Sequence, residues 1–167
     1  MLRKLIDNIR SRPVKVSFLR ERLPKNIPVM SYMNLKGKHR SEVFKNRPAV
    51  VVIIPMKGTK QGHFVLLLKR DTHISYFSSL GNSPFDELKK LHEPKQIFEE
   101  LLGKNYIYNR DKLQSDKADT QTCWLWILLR VKFQKLKQRE FVQLFNSRIS
   151  LTRPDDIATL MALALIY

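Results

Sequence analysis

"GHFVLLLKRDTHISYFSSLG", residues 62 to 81, is the stretch whose reading decides the fold. "GHFVLLLK" is a strand-length apolar run, and "HISYFSSLG" reads as a second strand. The "RDTH" between them has the polar, turn-prone composition of a tight hairpin. Upstream, "PAVVVIIPM" (48–56) reads as a further buried strand. After "NSP" (82–84) the period changes: Phe85, Leu88 and Leu91 recur at three, and "IFEELL" (97–102) adds a second helical set after Pro94. "NYIYN" (105–109) reads as a fourth strand. From Cys123 onward "WLWILLRVKFQKL" is apolar enough for a buried helix, and "QREFVQLFNSRI" (138–149) and "RPDDIATLMALALI" (153–166) make two more. The last begins well, with Pro154 early and Asp155 and Asp156 in its first turn. The pattern predicts an α+β domain: a central sheet of three to five strands with helices gathered mostly towards the C-terminus.

Length and composition fit that reading. The 167 residues suffice for one domain with a real core, and 43% hydrophobic content belongs to a folded chain. One cysteine cannot form an internal disulfide, and with four scattered histidines it cannot build a thiolate zinc cluster. The opening "MLRKLIDNIRSR" carries charges throughout, unlike a secretory signal. No apolar run approaches bilayer length, so no transmembrane segment is expected. The chain reads as a monomer.

Charge is the outstanding bulk property: 31 Lys and Arg against 15 Asp and Glu, a formal +16. Residues 1 to 40 hold eleven of the basic residues against Asp7 and Glu21 alone. "RVKFQKLKQR" adds a second basic stretch, in which Arg130, Lys132, Lys135, Lys137 and Arg139 are the candidate polyanion-binding residues. Non-specific DNA or an acidic membrane surface would suit such a balance. Residues 1–12 place Leu2, Leu5, Ile6 and Ile9 at helical spacing, a short basic amphipathic helix suited either to peripheral membrane contact or to packing on the protein itself. Residues 13 to 47, interrupted by Pro13, Pro24, Pro28 and Gly37, are expected to wander over the surface. The organisation predicted is a basic N-terminal extension, 1–47, and a domain, 48–167.

Three roles are open to Cys123: buried core thiol, metal ligand, or nucleophile on a helix N-terminus. It stands where a polar loop gives way to a helix, so its own amide and that of Trp124 would be outward-facing donors able to hold an oxyanion. An imidazole beside such a thiol lowers its pKa and makes it reactive. His63, after Gly62, opens a strong strand and is placed to supply one. Gln114, nine residues before the cysteine, could add a side-chain amide to the same oxyanion hole. His39, His73 and His92 lie in turn contexts and read as solvated, while Trp126 and Phe133 read as core. Phe64 reads equally as a substrate-facing wall or as packing under the helix.

The order of these landmarks resembles the adenain-like cysteine peptidases, a superfamily that contains the adenovirus maturation protease and the SUMO-deconjugating peptidases. It is most similar to the versions in large DNA viruses, virophages and related transposons. There the motifs run approximately Gly-His-Trp, Phe-Asp-Ser-Tyr-Gly followed by Pro, Asn with a downstream Gln, Thr-Cys-Gly, and a late Asp-Asp. Here "GHF", "YFSSLGNSP", "YNRDKLQ", "TC" and "RPDDIATLM" stand in that order, between about residue 48 and the C-terminus. The resemblance implies a papain/adenain-like fold with a central mixed sheet flanked by helices. It implies Cys123 as nucleophile, His63 as general base and Gln114 as oxyanion-hole residue. The family's acid falls at Ser78, which carries no charge, and Trp124 replaces the usual glycine and threatens to crowd the substrate channel. Ser78 or Asn82 could orient the ring without charge. Asp71 belongs to the far end of the hairpin, and Asp86 and Glu87 on the following helix stay open. The activity implied is a thiol endopeptidase that cleaves capsid or other virion precursors, in the virion or in the host cytoplasm or nucleus. No cofactor is expected beyond a DNA or peptide activator. The alternatives are an inert protease-fold virion component that binds DNA, membrane or capsid, and a plain nucleic-acid-binding protein.

Overall fold

Every predicted strand and helix core has a counterpart in the computed structural model, which describes residues 2–11, 14–58, 62–115, 121–145 and 154–166. The polar run 116–120 and the part of the predicted helix beyond Phe145 lie outside the described residues. In chain order the elements are α1 (Leu2–Ser11), α2 (Val16–Arg22), β1 (Val29–Ser31), a 3-10 turn (Tyr32–Leu35), α3 (Arg40–Phe44), β2 (Ala49–Pro55), β3 (Gly62–Lys69), β4 (Ile74–Phe77), α4 (Pro84–Leu91), α5 (Gln96–Leu102), β5 (Tyr106–Tyr108), α6 (Cys123–Lys132), α7 (Gln138–Gln143) and α8 (Pro154–Ile166). The five strands form one mixed sheet in sequence order. β2, β3 and β4 pair antiparallel, and β1 and β5 are added parallel at the two edges. The architecture is α+β.

The alternation of side chains along β3 explains the layering. Phe64, Leu66 and Leu68 enter a core shared with α2, α6, α7 and α8. Val65 and Leu67 enter a second core shared with the 3-10 turn, α3, α4 and α5. Both faces are covered, which is why the strands read as unbroken apolar runs. Residues 70–73 close the hairpin, with the Arg70 amide donating to the His73 carbonyl at 3.0 Å. Gly62 is required by close approach: a Cβ there would lie 2.5 Å from Ile53 Cγ1 and 2.9 Å from the Ile54 carbonyl oxygen. The glycine lets β3 begin tight against β2, with His63 opposite Ile54.

The N-terminal segment departs from the sequence expectation. Residues 14–47 do not wander over the surface: Leu19, Leu23, Ile27 and Val29 enter the first core, and Tyr32, Leu35, Val43 and Phe44 the second. The prolines divide this segment into short elements rather than deny it structure, and each element contributes a few apolar residues. α1 likewise turns part of its apolar face inward. Ile6 is buried, Ile9 packs on the first core, and α1 lies against α8. Ile6 and Ile9 are therefore used inside the protein, while Leu5 stays exposed. No helix among the described residues is long and apolar enough to cross a membrane.

Candidate active site

The start of β3, the end of β4 and the first turns of α4 and α6 converge on one histidine. His63 is buried, and its Nε2 lies 3.1 Å from Glu87 Oε1 and 3.1 Å from Ser78 Oγ. The side chain of Cys123 is a further polar neighbour of the ring and favours its charged form. Cys123 is partly buried as a residue and packs against the first core at the start of α6. The wide sequence gap between residues 63 and 123 is closed by the packing of α6 on β3.

The electrostatics of the ring follow from these neighbours. Burial by itself pushes the imidazole towards its neutral form. The side chain of Cys123 and the charge of Glu87 outweigh it and hold the ring's pKa above the ordinary histidine value. Glu87 is 2% exposed, and its other oxygen has no hydrogen-bond partner among the described residues. The carboxylate is thus directed at the imidazole and at little else.

The sequence reading tied the acid to Ser78. Ser78 does touch the ring, but the charge comes from Glu87, one helix further on. Asn82 does not orient the imidazole; its side-chain oxygen accepts from Lys90 Nζ at 2.8 Å. The signal that points to Glu87 is the stripe Pro84, Glu87, Leu88, Leu91, which has i, i+3, i+4, i+7 spacing. A carboxylate inside a buried helical stripe needs a partner, and reading the face as 85, 88, 91 hides it. Asp86 lies on the exposed side, accepting from the hydroxyl of Ser83, the N-cap of α4.

Backbone pinning holds the other side of the site. Asn109, after β5, accepts the Ser78 amide at 3.0 Å and donates to the Ser78 carbonyl at 2.7 Å. The amides of Leu113 and Gln114 both donate to the Ser79 carbonyl at 2.9 Å, and the Gln114 side-chain oxygen accepts from Ser79 Oγ at 2.7 Å. Orienting the oxygen onto Ser79 turns the amide nitrogen of Gln114 to the opposite side. At α6, Thr122 supplies no side-chain cap, since its hydroxyl is given to Asp155. The first-turn amides of Cys123 and Trp124 are left without a side-chain acceptor from the N-cap.

Two expectations about bulky or charged residues change. The Trp124 ring is buried edge-on against Phe18 of α2, with centroids 5.4 Å apart, and so faces the first core. Phe64 packs in that core too. Arg130 is fully buried and donates to the carbonyls of Phe133 and Leu136 at 2.8 and 3.0 Å, so it cannot meet a polyanion. Burial and the nearby Arg70 lower its pKa to about 10. Lys132, Lys135, Lys137 and Arg139 are exposed. Among the described residues no three His, Cys, Asp or Glu side chains converge on a metal-sized site.

No protein-family model matches the chain, and no curated protein matches it. Among solved structures it is similar to the C-terminal Ulp1 protease domain in complex with Smt3, the yeast ortholog of SUMO. The TM-score is 0.42 at 15% identity, over 93% of this chain and 79% of that one. It is also similar to the SUMO protease Ulp1 with its catalytic cysteine oxidised to a sulfinic acid, with a TM-score of 0.35 at 12% identity, over 97% and 77%. At these values the likeness has no weight of its own beside the side-chain geometry.

Proposed function

We propose that this chain is a cysteine peptidase in which Cys123 is the nucleophile, His63 the general base and acid, and Glu87 the carboxylate that holds the imidazole. The observation that carries the reading is a buried imidazole 3.1 Å from a buried carboxylate, with the side chain of a helix-terminal cysteine as a further polar neighbour. A charged ring beside the thiol favours the thiolate, which is the attacking species. Attack on a peptide carbonyl forms the sulfur–carbon bond and an oxyanion, which the amides of Cys123 and Trp124 and the side chain of Gln114 would stabilise. His63 then gives its proton to the leaving amine as the carbon–nitrogen bond breaks. Water, deprotonated by the same ring, hydrolyses the thioester and restores the thiol.

The finer reading rests on the motif resemblance: an endopeptidase acting on capsid or other virion precursors in a virion or virus factory, with DNA or a peptide as activator. The competing view of an inert virion component drew on the uncharged Ser78 and on Trp124. Glu87 supplies a carboxylate to the ring, and Phe18 gives the tryptophan a packing partner, so neither observation now favours inertness.

A peptide bearing a thiol-directed electrophile is expected to label Cys123 in the purified protein, and co-expressed virion precursors are expected to be cut. Cys123→Ala should abolish both and His63→Ala should come close. An unlabelled, inactive wild-type protein would overturn the peptidase reading, while labelling without precursor cleavage would overturn only the substrate assignment.

A further inference from the structure

Asp155, in the first turn of α8, is 1% exposed and lies apart from the imidazole cluster. Three donors converge on its carboxylate. Oδ1 accepts from the Thr122 hydroxyl at 2.6 Å and from the Trp126 indole nitrogen at 3.0 Å. Oδ2 accepts from the Ser115 amide at 2.7 Å. Thr122 immediately precedes the nucleophile, Trp126 lies one turn beyond it, and Ser115 immediately follows Gln114. The two oxygens of one side chain therefore join the turn that carries Cys123 to the segment that carries Gln114.

We infer that Asp155 is a positioning residue that sets the Gln114 segment in register with the nucleophile turn. This rests on the peptidase reading above. The site needs such a tie because its two halves come from separate segments, and misplacement by about 1 Å can cost about 100-fold in rate. The carboxylate suits the task because it accepts on both oxygens at once, and buried donors bound to an ionised group make short, strong hydrogen bonds. Its own foundation is firm. The neighbouring Asp156 accepts from Arg3 at 3.1 Å and from Arg10 at 3.2 Å, and the Arg10 carbonyl accepts the Gln121 amide at 2.6 Å. The first turn of α8 is thus fixed to α1 on one side and to the approach to Cys123 on the other.

Asp155→Asn separates the two arms. Its remaining oxygen can still accept from Thr122 and Trp126, while the new amide presents a donor to the Ser115 N–H. Turnover, normalised to the fraction of Cys123 that a separate aliquot shows can be labelled, is expected to fall about 10-fold with KM little changed, against about 100-fold for Gln114→Ala. The decisive measurement is the double variant. If Asp155 acts through the placement of Gln114, Asp155→Asn adds less than about twofold to the Gln114→Ala loss. Losses that multiply, or an Asp155→Asn variant with wild-type turnover, would overturn the inference while leaving the labelled peptidase intact. Failure to label the wild-type protein would remove both. Should Asp155→Asn not fold, Thr122→Val, which removes one hydroxyl donor, must show the same non-additivity with Gln114→Ala, and multiplying losses there overturn it equally.

Discussion

At the scale of single residues, the site works by what surrounds His63, and Glu87 is the neighbour that carries charge. Glu87→Gln preserves shape and one acceptor oxygen but removes the negative charge. The expected loss in turnover is about 10- to 100-fold, well short of the ~10⁴ that the aspartate is worth in a serine triad, because a thiol is partly ionised unaided. The pH dependence has a definite sign. Glu87 raises the ring's pKa by favouring the imidazolium, so its neutral replacement lets the ring lose its proton at lower pH. The alkaline limb of the kcat/KM profile should therefore move to lower pH in Glu87→Gln. An unmoved limb would show that the carboxylate does not govern the ring. Cys123 and His63, the proposed nucleophile and base, could be singled out in the sequence because each sits at the start of an element. Glu87, the proposed carboxylate, could only be left open beside Asp86, because a helical face read as 85, 88, 91 does not show that Glu87 is the buried one.

At the scale of elements, α6 presents a nucleophile at one end and must be closed at the other. Its C-terminal carbonyls run into the turn 133–136, and two arginines grip that turn. Arg130 donates to Phe133 and Leu136, and Arg70, from the β3–β4 hairpin, donates to Gln134 at 2.7 Å. The Arg130 guanidinium also lies 5.0 Å from the Phe141 ring centroid of α7. Arg130→Met keeps much of the buried volume but takes one donor from each of two carbonyls, leaving Leu136 with Arg70 at 3.4 Å and Phe133 with the Leu136 amide at 3.0 Å, and it should cost about 1–3 kcal/mol of unfolding free energy. Single neutralisation of Lys132 or Lys135 should cost no more than about 0.5 kcal/mol. Denaturant unfolding measures both, and an Arg130 variant as stable as the wild type would dismiss the clamp. The helices and strands themselves were readable from period and run length. What escaped was how residues 14–47 fold, since a three-residue strand such as β1 has no period of its own and is ordered by pairing with β2. Arg130 escaped for a similar reason: sequence counts it with the lysines around it, and only the return of the chain at 133–136 buries it.

At the scale of the whole molecule, the formal +16 is not all presented at the surface, because Arg10 and Arg130 are buried. Arg3 and Arg10 pair with Asp156, and Arg20, Arg22, Arg40, Arg70 and Arg130 donate to backbone carbonyls. These seven arginines tie segments of the chain together, for which a rigid five-donor fork is suited. Lys132, Lys135, Lys137 and Arg139 are exposed on neighbouring parts of α6, the following turn and α7. If this face meets nucleic acid, each phosphate it neutralises contributes about −0.9 to the slope of log K against log salt. Replacing all four by Gln should make that slope shallower by about 3 to 4 on mixed-sequence duplex DNA. Labelling of Cys123 by a peptide electrophile should stay unchanged, because the four lie at the opposite end of α6 from the nucleophile. A slope that does not change would remove this face from the polyanion proposal and direct attention to the lysines of the first forty residues.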